Sequence, residues 1–194
     1  TAVLTGFTIQ NSSSRGVNCF GDPALSHLRV KGHAGGGMYF SGSDLSMSYI
    51  EVTENTLNGS NGGGIRIEDS DLTLLDVSVN RNRNTNNSGG GGISISQSTV
   101  TIDSSRIADN FSYSFGGGLY LSDSDIIISN TSVVRDTSGN NYGGGLYSTS
   151  STTLTLSNAR IDSNEAQNYG GGLFMNGDTL TAVNTSFSHN MVTG

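Results

Sequence analysis

Two acidic runs, Glu68-Asp69-Ser70-Asp71 and Ser122-Asp123-Ser124-Asp125, hold the residue types in this sequence best suited to chemistry. Paired carboxylates can act as acid and base in cleaving a glycosidic bond, and oxygen-rich corners can ligate Ca²⁺. Asp44, Asp69 and Asp71 are the candidates for the first role, and Asp71, Asp123 and Asp125 for the second. The Gly-Gly-x-Gly-x-Asp signature of calcium-binding nonapeptides is absent. No cofactor is therefore assigned, and Ca²⁺ is the one these residues leave open. A third set is aromatic. Tyr120, Tyr147 and Phe174 each stand two residues after a triple glycine, and Phe115, Tyr142 and Tyr169 stand directly before one. Such rings can bind a sugar or a protein partner, or simply brace neighbouring strands. The histidines, His27, His33 and His189, lack metal-ligand spacing and a nucleophile partner, and Lys31 is the only lysine. No catalytic residue is assigned, and a structural or binding role is expected ahead of an enzymatic one.

A repeat must position these side chains. Triple glycines stand at 35–37, 62–64, 90–92, 116–118, 143–145 and 170–172, each followed by Met, Ile or Leu. From one third glycine to the next the steps are 27, 28, 26, 27 and 27 residues, which marks a repeat architecture. Counted from that glycine, apolar pairs recur at +1/+3, +8/+10 and +13/+15, as in Met38/Phe40, Leu45/Met47 and Ile50/Val52. The fifth repeat carries one extra residue near Ser151. Alternation by two is the strand period, and no helical period competes with it.

Each unit of about 27 residues thus carries three short strands. Stacked units share a core that no single unit can close. The expected fold is all-β: a right-handed parallel β-helix of roughly seven coils spaced about 4.8 Å apart. Residues 1–194 read as one domain, with irregular first coils over 1–34 and regular repeats over 35–194. The chain opens on Thr1 without a leader and stops at Gly194, where another glycine turn is due, so it reads as a piece of a longer β-helix.

The corners have their own columns. Asn55, Asn82, Asn110, Asn164 and Asn190 share position +18 with Asp136, and stacked amides there would form a structural ladder. Asn130, Asn158 and Asn184 make a second column at +12, expected to form a ladder in the same way. At +17, Glu54, Arg81, Asp109 and Arg135 alternate in sign and would hold the register of otherwise similar coils. The glycines allow corners to stack closely and supply the positive φ of a sharp turn.

Composition narrows the function. With 33% hydrophobic and 13% charged residues the chain would resemble a disordered one, had its apolar residues not fallen in columns. A net charge of −7, with one Lys and eight Arg that form no stripe, excludes nucleic acid as a partner. Cys19 has no second cysteine to pair with, and its inward column makes it a buried, inert thiol. No apolar run reaches the length of a membrane span.

The units Ile107-Ala108-Asp109-Asn110 with Gly116-Gly117-Gly118-Leu119-Tyr120, and Ile161-Asp162-Ser163-Asn164 with Gly170-Gly171-Gly172-Leu173-Phe174, resemble a known family. They are similar to the repeats of bacterial surface right-handed β-helix proteins, such as polymorphic outer-membrane proteins and autotransporter passengers. A third glycine stands here where those repeats have Ala, and mostly Ile or Val where they have Phe. The resemblance covers the chain from Gly35 onward. It implies a secreted or cell-surface location, an adhesive or scaffolding role, and no bound cofactor. Its implied partners are a host or cell-surface protein, a glycan, or a second copy stacked end to end. A polysaccharide lyase or hydrolase, or a glycan-binding module, is the alternative.

Overall fold

The alternating pairs become strands. In one coil they are Leu119–Ser122, Asp125–Ser129 and Ser132–Val134. Each pairs in parallel with its counterpart one coil on: Leu119 with Leu146, Ile126 with Leu154 and Val133 with Ile161. The computed structural model describes residues 2–194, and among these no helix interrupts the strands. The chain is a parallel β-helix, with sheets of thirteen, seven and six strands among the described residues.

The pairs at +8/+10 and +13/+15 belong to the same bent sheet. In the early coils they form a single ten-residue strand, Asp44–Thr53 and then Asp71–Asn80. Later coils break it at the +12 corner. The sequence pattern also misses a fourth strand of two residues at +19/+20, such as Thr56–Leu57 and Phe111–Ser112, which builds the six-stranded face. Its inward residue changes from Leu57 through Asn84, Ser112 and Ser138 to Ala166, so no apolar column announces it.

The core is the stack of inward columns. Met38, Ile65, Leu119 and Leu146 at +1, and Val52, Val79, Ile107 and Val133 at +15, are all fully buried. In the last coil the inward columns meet solvent on one side, leaving Leu180 at +8 40% and Phe187 at +15 44% exposed. The irregular first coil pairs Val17 with Met38 and Val30 with Val52, and Leu4 and Ile9 pair against it in turn. The extra residue of the fifth repeat lies between Thr149 and Thr153, where Ser150 and Ser151 both adopt left-handed φ.

Each coil turns through left-handed corners at +5, +12 and +17; in one coil these are Asp123, Asn130 and Arg135, with φ of 50°, 49° and 56°. Among residues with a side chain, Asn and Asp tolerate that conformation best. This corrects the reading of the +12 column. Asn130, Asn158 and Asn184 are exposed corner residues, and Asn158 Nδ2 reaches Asn130 Oδ1 only at 3.4 Å. The +17 column does pair along the axis. Arg135 donates to both oxygens of Asp109 at 2.7 Å, and Lys31 and Arg81 approach Glu54 at 3.2 and 3.7 Å.

Within a triplet the glycines have different duties. Gly116, the first, carries the positive φ of 59°. The middle one is required by close approach: a Cβ on Gly117 would lie 2.5 Å from the Gly144 carbonyl oxygen of the next coil. Gly21, by contrast, faces open space. Gly117→Ala should therefore cost about 1–3 kcal/mol in urea unfolding, as overpacking typically does, while Gly21→Ala stays within about 0.5 kcal/mol.

Candidate functional site

The corner at +5 to +7 gathers the acidic candidates. Asp22, Asp44, Asp69, Asp71, Asp123 and Asp125 line one open groove of about 650 Å³. Asp44 sits directly beside Asp71 in the register, Thr99 separates Asp71 from Asp125, and Thr153 follows. Asp69 and Asp123 are its left-handed corner residues, with φ of 49° and 50°. All five candidates, Asp44, Asp69, Asp71, Asp123 and Asp125, are exposed. Among the described residues no group of three or more His, Cys, Asp or Glu side chains is arranged around one metal ion.

The fold splits the first acidic run three ways. Glu68 turns toward the neighbouring face, where it binds Arg66 and accepts from the Tyr39 hydroxyl at 2.8 Å. The guanidinium groups of Arg15 and Arg66 each stand 5.2 Å from the Tyr39 ring centre. Ser70 points inward and is buried. Its hydroxyl donates to the Glu68 carbonyl and accepts the Ser43 amide of the preceding coil, as Ser98 and Ser124 do for their neighbours. Only Asp69 and Asp71 face the groove. The Ser-Asp-Ser-Asp pattern is thus largely a corner motif, with a buried hydroxyl ladder between two solvated carboxylates.

The two aromatic sets interlock into one strip. Tyr147 stacks on Tyr120 at 5.5 Å and on Phe174 at 5.4 Å, with interplanar angles of 10° and 4°. Phe115 packs on Tyr147, and Tyr142 on Phe174, both at 4.8 Å between centroids. Both faces of Tyr147 are therefore occupied by protein, which leaves ring edges and hydroxyls for a ligand. Burial raises the Tyr120 phenol above its usual pKa, so it remains a neutral hydroxyl. Tyr169, 62% exposed and in contact with Tyr142, is the most open ring of the strip.

The +18 ladder joins each rung to the next through a side-chain amide, except from Asp136 to Asn164, where only the Asp136 backbone amide reaches Asn164 Oδ1. Asn55 Nδ2 donates to Asn82 Oδ1 at 2.9 Å, Asn82 to Asn110 at 3.1 Å, and Asn164 to Asn190 at 3.0 Å. Each amide nitrogen also donates to a carbonyl of the preceding coil, for example Asn82 to Val52 at 2.9 Å. His33 extends the ladder into the irregular coil. Its backbone amide donates to Asn55 Oδ1, its Nδ1 accepts from Ser12, and its Nε2 donates to the Ile9 carbonyl. The triplet and ladder are coupled, since a Cβ on Gly92 would lie 2.9 Å from Asn110 Nδ2.

The description of a right-handed β-helix region matches residues 2–192. The chain belongs to that family. Neither a curated protein nor a solved structure matches it. Among the described residues of this β-helix no helix is long and apolar enough to cross a membrane.

Sequence reasoning missed His33, the hydroxyl ladder and a surface cluster at the far end of the β-helix. Position +18 would have found His33, had the irregular coil been aligned on Val30 rather than on a triplet. In the far cluster, Asp162 accepts from Ser188 at 2.6 Å and from His189 at 2.8 Å, and pairs with Arg160. The Ser188 hydrogen bond, then that from His189, holds its carboxyl at about 2, below the ordinary carboxylate range. A depressed carboxylate contributes stability that is present above its unfolded pKa and lost as pH falls through the folded one. Asp162→Asn should therefore flatten the acid limb of unfolding between about pH 4 and 2, read by circular dichroism against pH.

Proposed function

We propose that this β-helix is an extracellular structural and adhesive scaffold, a segment of a cell-surface protein whose lateral faces contact a protein or glycan. The observation that carries the reading is the aromatic strip. Six rings from consecutive coils are held in register by the same ladders that hold the core, forming a stiff surface with its edges and hydroxyls outward. Rigid aromatic surfaces bind at low cost in conformational entropy, because little is left to order. A glycan docking here would meet hydroxyls and ring edges along most of the strip, and open ring area at Tyr169. The resemblance to bacterial surface repeats supports the location.

The acidic groove favours a second reading, a carbohydrate-active enzyme that uses Asp44, Asp69 and Asp71. All three are solvated and stand on an open corner without walls, whereas a general acid needs a raised pKa in a shielded pocket.

One experiment separates the two. The immobilised chain and its Tyr142→Phe/Tyr169→Phe variant, which loses two hydroxyls but keeps every ring, are probed with a glycan array and with extracted surface proteins. The same panel of polysaccharides is assayed for new reducing ends or unsaturated products. The scaffold reading expects binding weakened about tenfold by the variant, one or two hydrogen bonds' worth, and no turnover. Turnover abolished by Asp71→Asn would transfer the function to the acidic corner.

A further inference from the structure

One rung of the +18 ladder differs from the rest. Five of its six regular positions are Asn, and the sixth, between Asn110 and Asn164, is Asp136. The residue is 0% exposed. Its Oδ1 does what an amide oxygen does elsewhere in the ladder, accepting from the Asn110 backbone amide at 2.8 Å and from Asn110 Nδ2 at 2.9 Å.

Its other oxygen stands where the neighbouring rungs have nitrogen. A Cβ on Gly118 would lie 2.8 Å from Asp136 Oδ2, just as one on Gly145 would lie 2.8 Å from Asn164 Nδ2. In the flanking rungs that nitrogen donates twice. Asn110 Nδ2 gives its hydrogens to the Val79 carbonyl and to Asp136 Oδ1, and Asn164 Nδ2 to the Val133 carbonyl and Asn190 Oδ1. By the register of Val79, Ile107 and Val133, the groups facing Asp136 Oδ2 are the Ile107 carbonyl and Asn164 Oδ1. Both are acceptors, and Asn164 Oδ1 already takes the Asp136 backbone amide at 2.9 Å. As a bare oxygen, Asp136 Oδ2 has no hydrogen-bond partner. An ionised carboxylate here would be a buried charge set against two lone-pair groups, a costly arrangement.

We propose that Asp136 supplies the ladder's missing donor as a bound proton on Oδ2, and that losing this proton loosens the stack between the Asn110 and Asn164 coils. This makes one rung, among five of Asn at the regular positions, a pH-sensitive joint. The charged groups around it come from three coils. Asp109 and Arg106 lie on the preceding coil, Arg135 on its own, and Asp162 and Glu165 on the following one. Asp109 favours the proton and Arg106 opposes it. Asp109 and Arg135 are tied to each other at the surface. Burial is the dominant influence and pushes the carboxyl up to about 8, against the two hydrogen bonds from Asn110 that favour the charge.

The sign follows from linkage. A carboxyl raised in the folded state contributes stability that is complete below its unfolded pKa of about 4 and is lost as pH rises to about 8. Between these limits folding holds one proton that the unfolded chain releases, so the folded-to-unfolded ratio falls about tenfold per pH unit from this group alone. Asn at this position removes that dependence and restores a two-hydrogen donor, which five other rungs already accommodate.

The test compares the full chain with Asp136→Asn by urea unfolding at intervals from pH 4.5 to pH 9, so that every other titrating group cancels in the difference. In parallel, the Asp136 carboxyl ¹³C resonance is followed through the same range in the folded chain. The expected result is a gap in folding equilibrium constant that widens in favour of Asp136→Asn by about tenfold per pH unit and levels off near pH 8. The carboxyl resonance should be that of a protonated acid at pH 6. Parallel stability curves, or a resonance already that of a carboxylate at pH 6, would overturn the proposal.

Discussion

The structure depends on how closely one coil approaches the next at the glycine corner. The carbonyl oxygen of Gly144 lies 2.5 Å from where a Cβ on Gly117 would be, and that of Gly145 lies 2.7 Å from one on Gly118. Side chains are excluded there by contact, and this brings the +18 amides within hydrogen-bond reach along the axis. Backbone amides of the triplet then bond directly to the carbonyls of the next, as Gly117 N does to Gly143 O at 3.1 Å. The coil spacing is thus set by main-chain geometry, and each column inherits it.

From that spacing follows a core that a polar sequence can sustain. Buried Asn, Ser and Thr side chains would be destabilising if isolated, because each carries donors and acceptors that lose water. In a stack of equivalent positions the ladder hydroxyls donate to a carbonyl of their own coil and accept an amide from the neighbouring one. Ser105 accepts the Val77 amide and donates to the Asp103 carbonyl, and Thr131 repeats the arrangement one coil on. Translation along the axis converts an abundance of short polar residues from a liability into a network, while Ile, Leu and Val fill the space between. Rungs that depart from the common residue, such as His33 and Asp136, survive only where their atoms can play the same donor and acceptor roles.

The same translation shapes the surface. Outward columns become strips: charge pairs at +17, carboxylates at the +5 to +7 corner, interlocked rings beside the seven-stranded sheet. Such strips are well suited to contact over an extended face. Concentrating unlike groups in one shielded place, as catalysis requires, needs a break in the repeat, and the acidic corner remains open to water.

How much could be read beforehand varies by column. The apolar columns and glycine triplets identified the coil, its period and its inward residues, because a period of two within a period of about 27 has few physical solutions. The +18 ladder was legible for the same reason: identical residues at a constant step must lie above one another. The two-residue strand at +19/+20 was not, since Leu57, Asn84 and Ser112 share no chemical type. Nor were the left-handed corners, because Glu54, Arg81 and His189 hide a common backbone conformation behind unlike side chains. Within the acidic run, composition could not separate buried Ser70 and paired Glu68 from solvated Asp71. Sequence by itself determined which residues would be stacked. Tertiary structure alone decided which way each polar atom points and what faces it, because one residue's hydrogen-bond partner belongs to a coil some 26–31 positions distant.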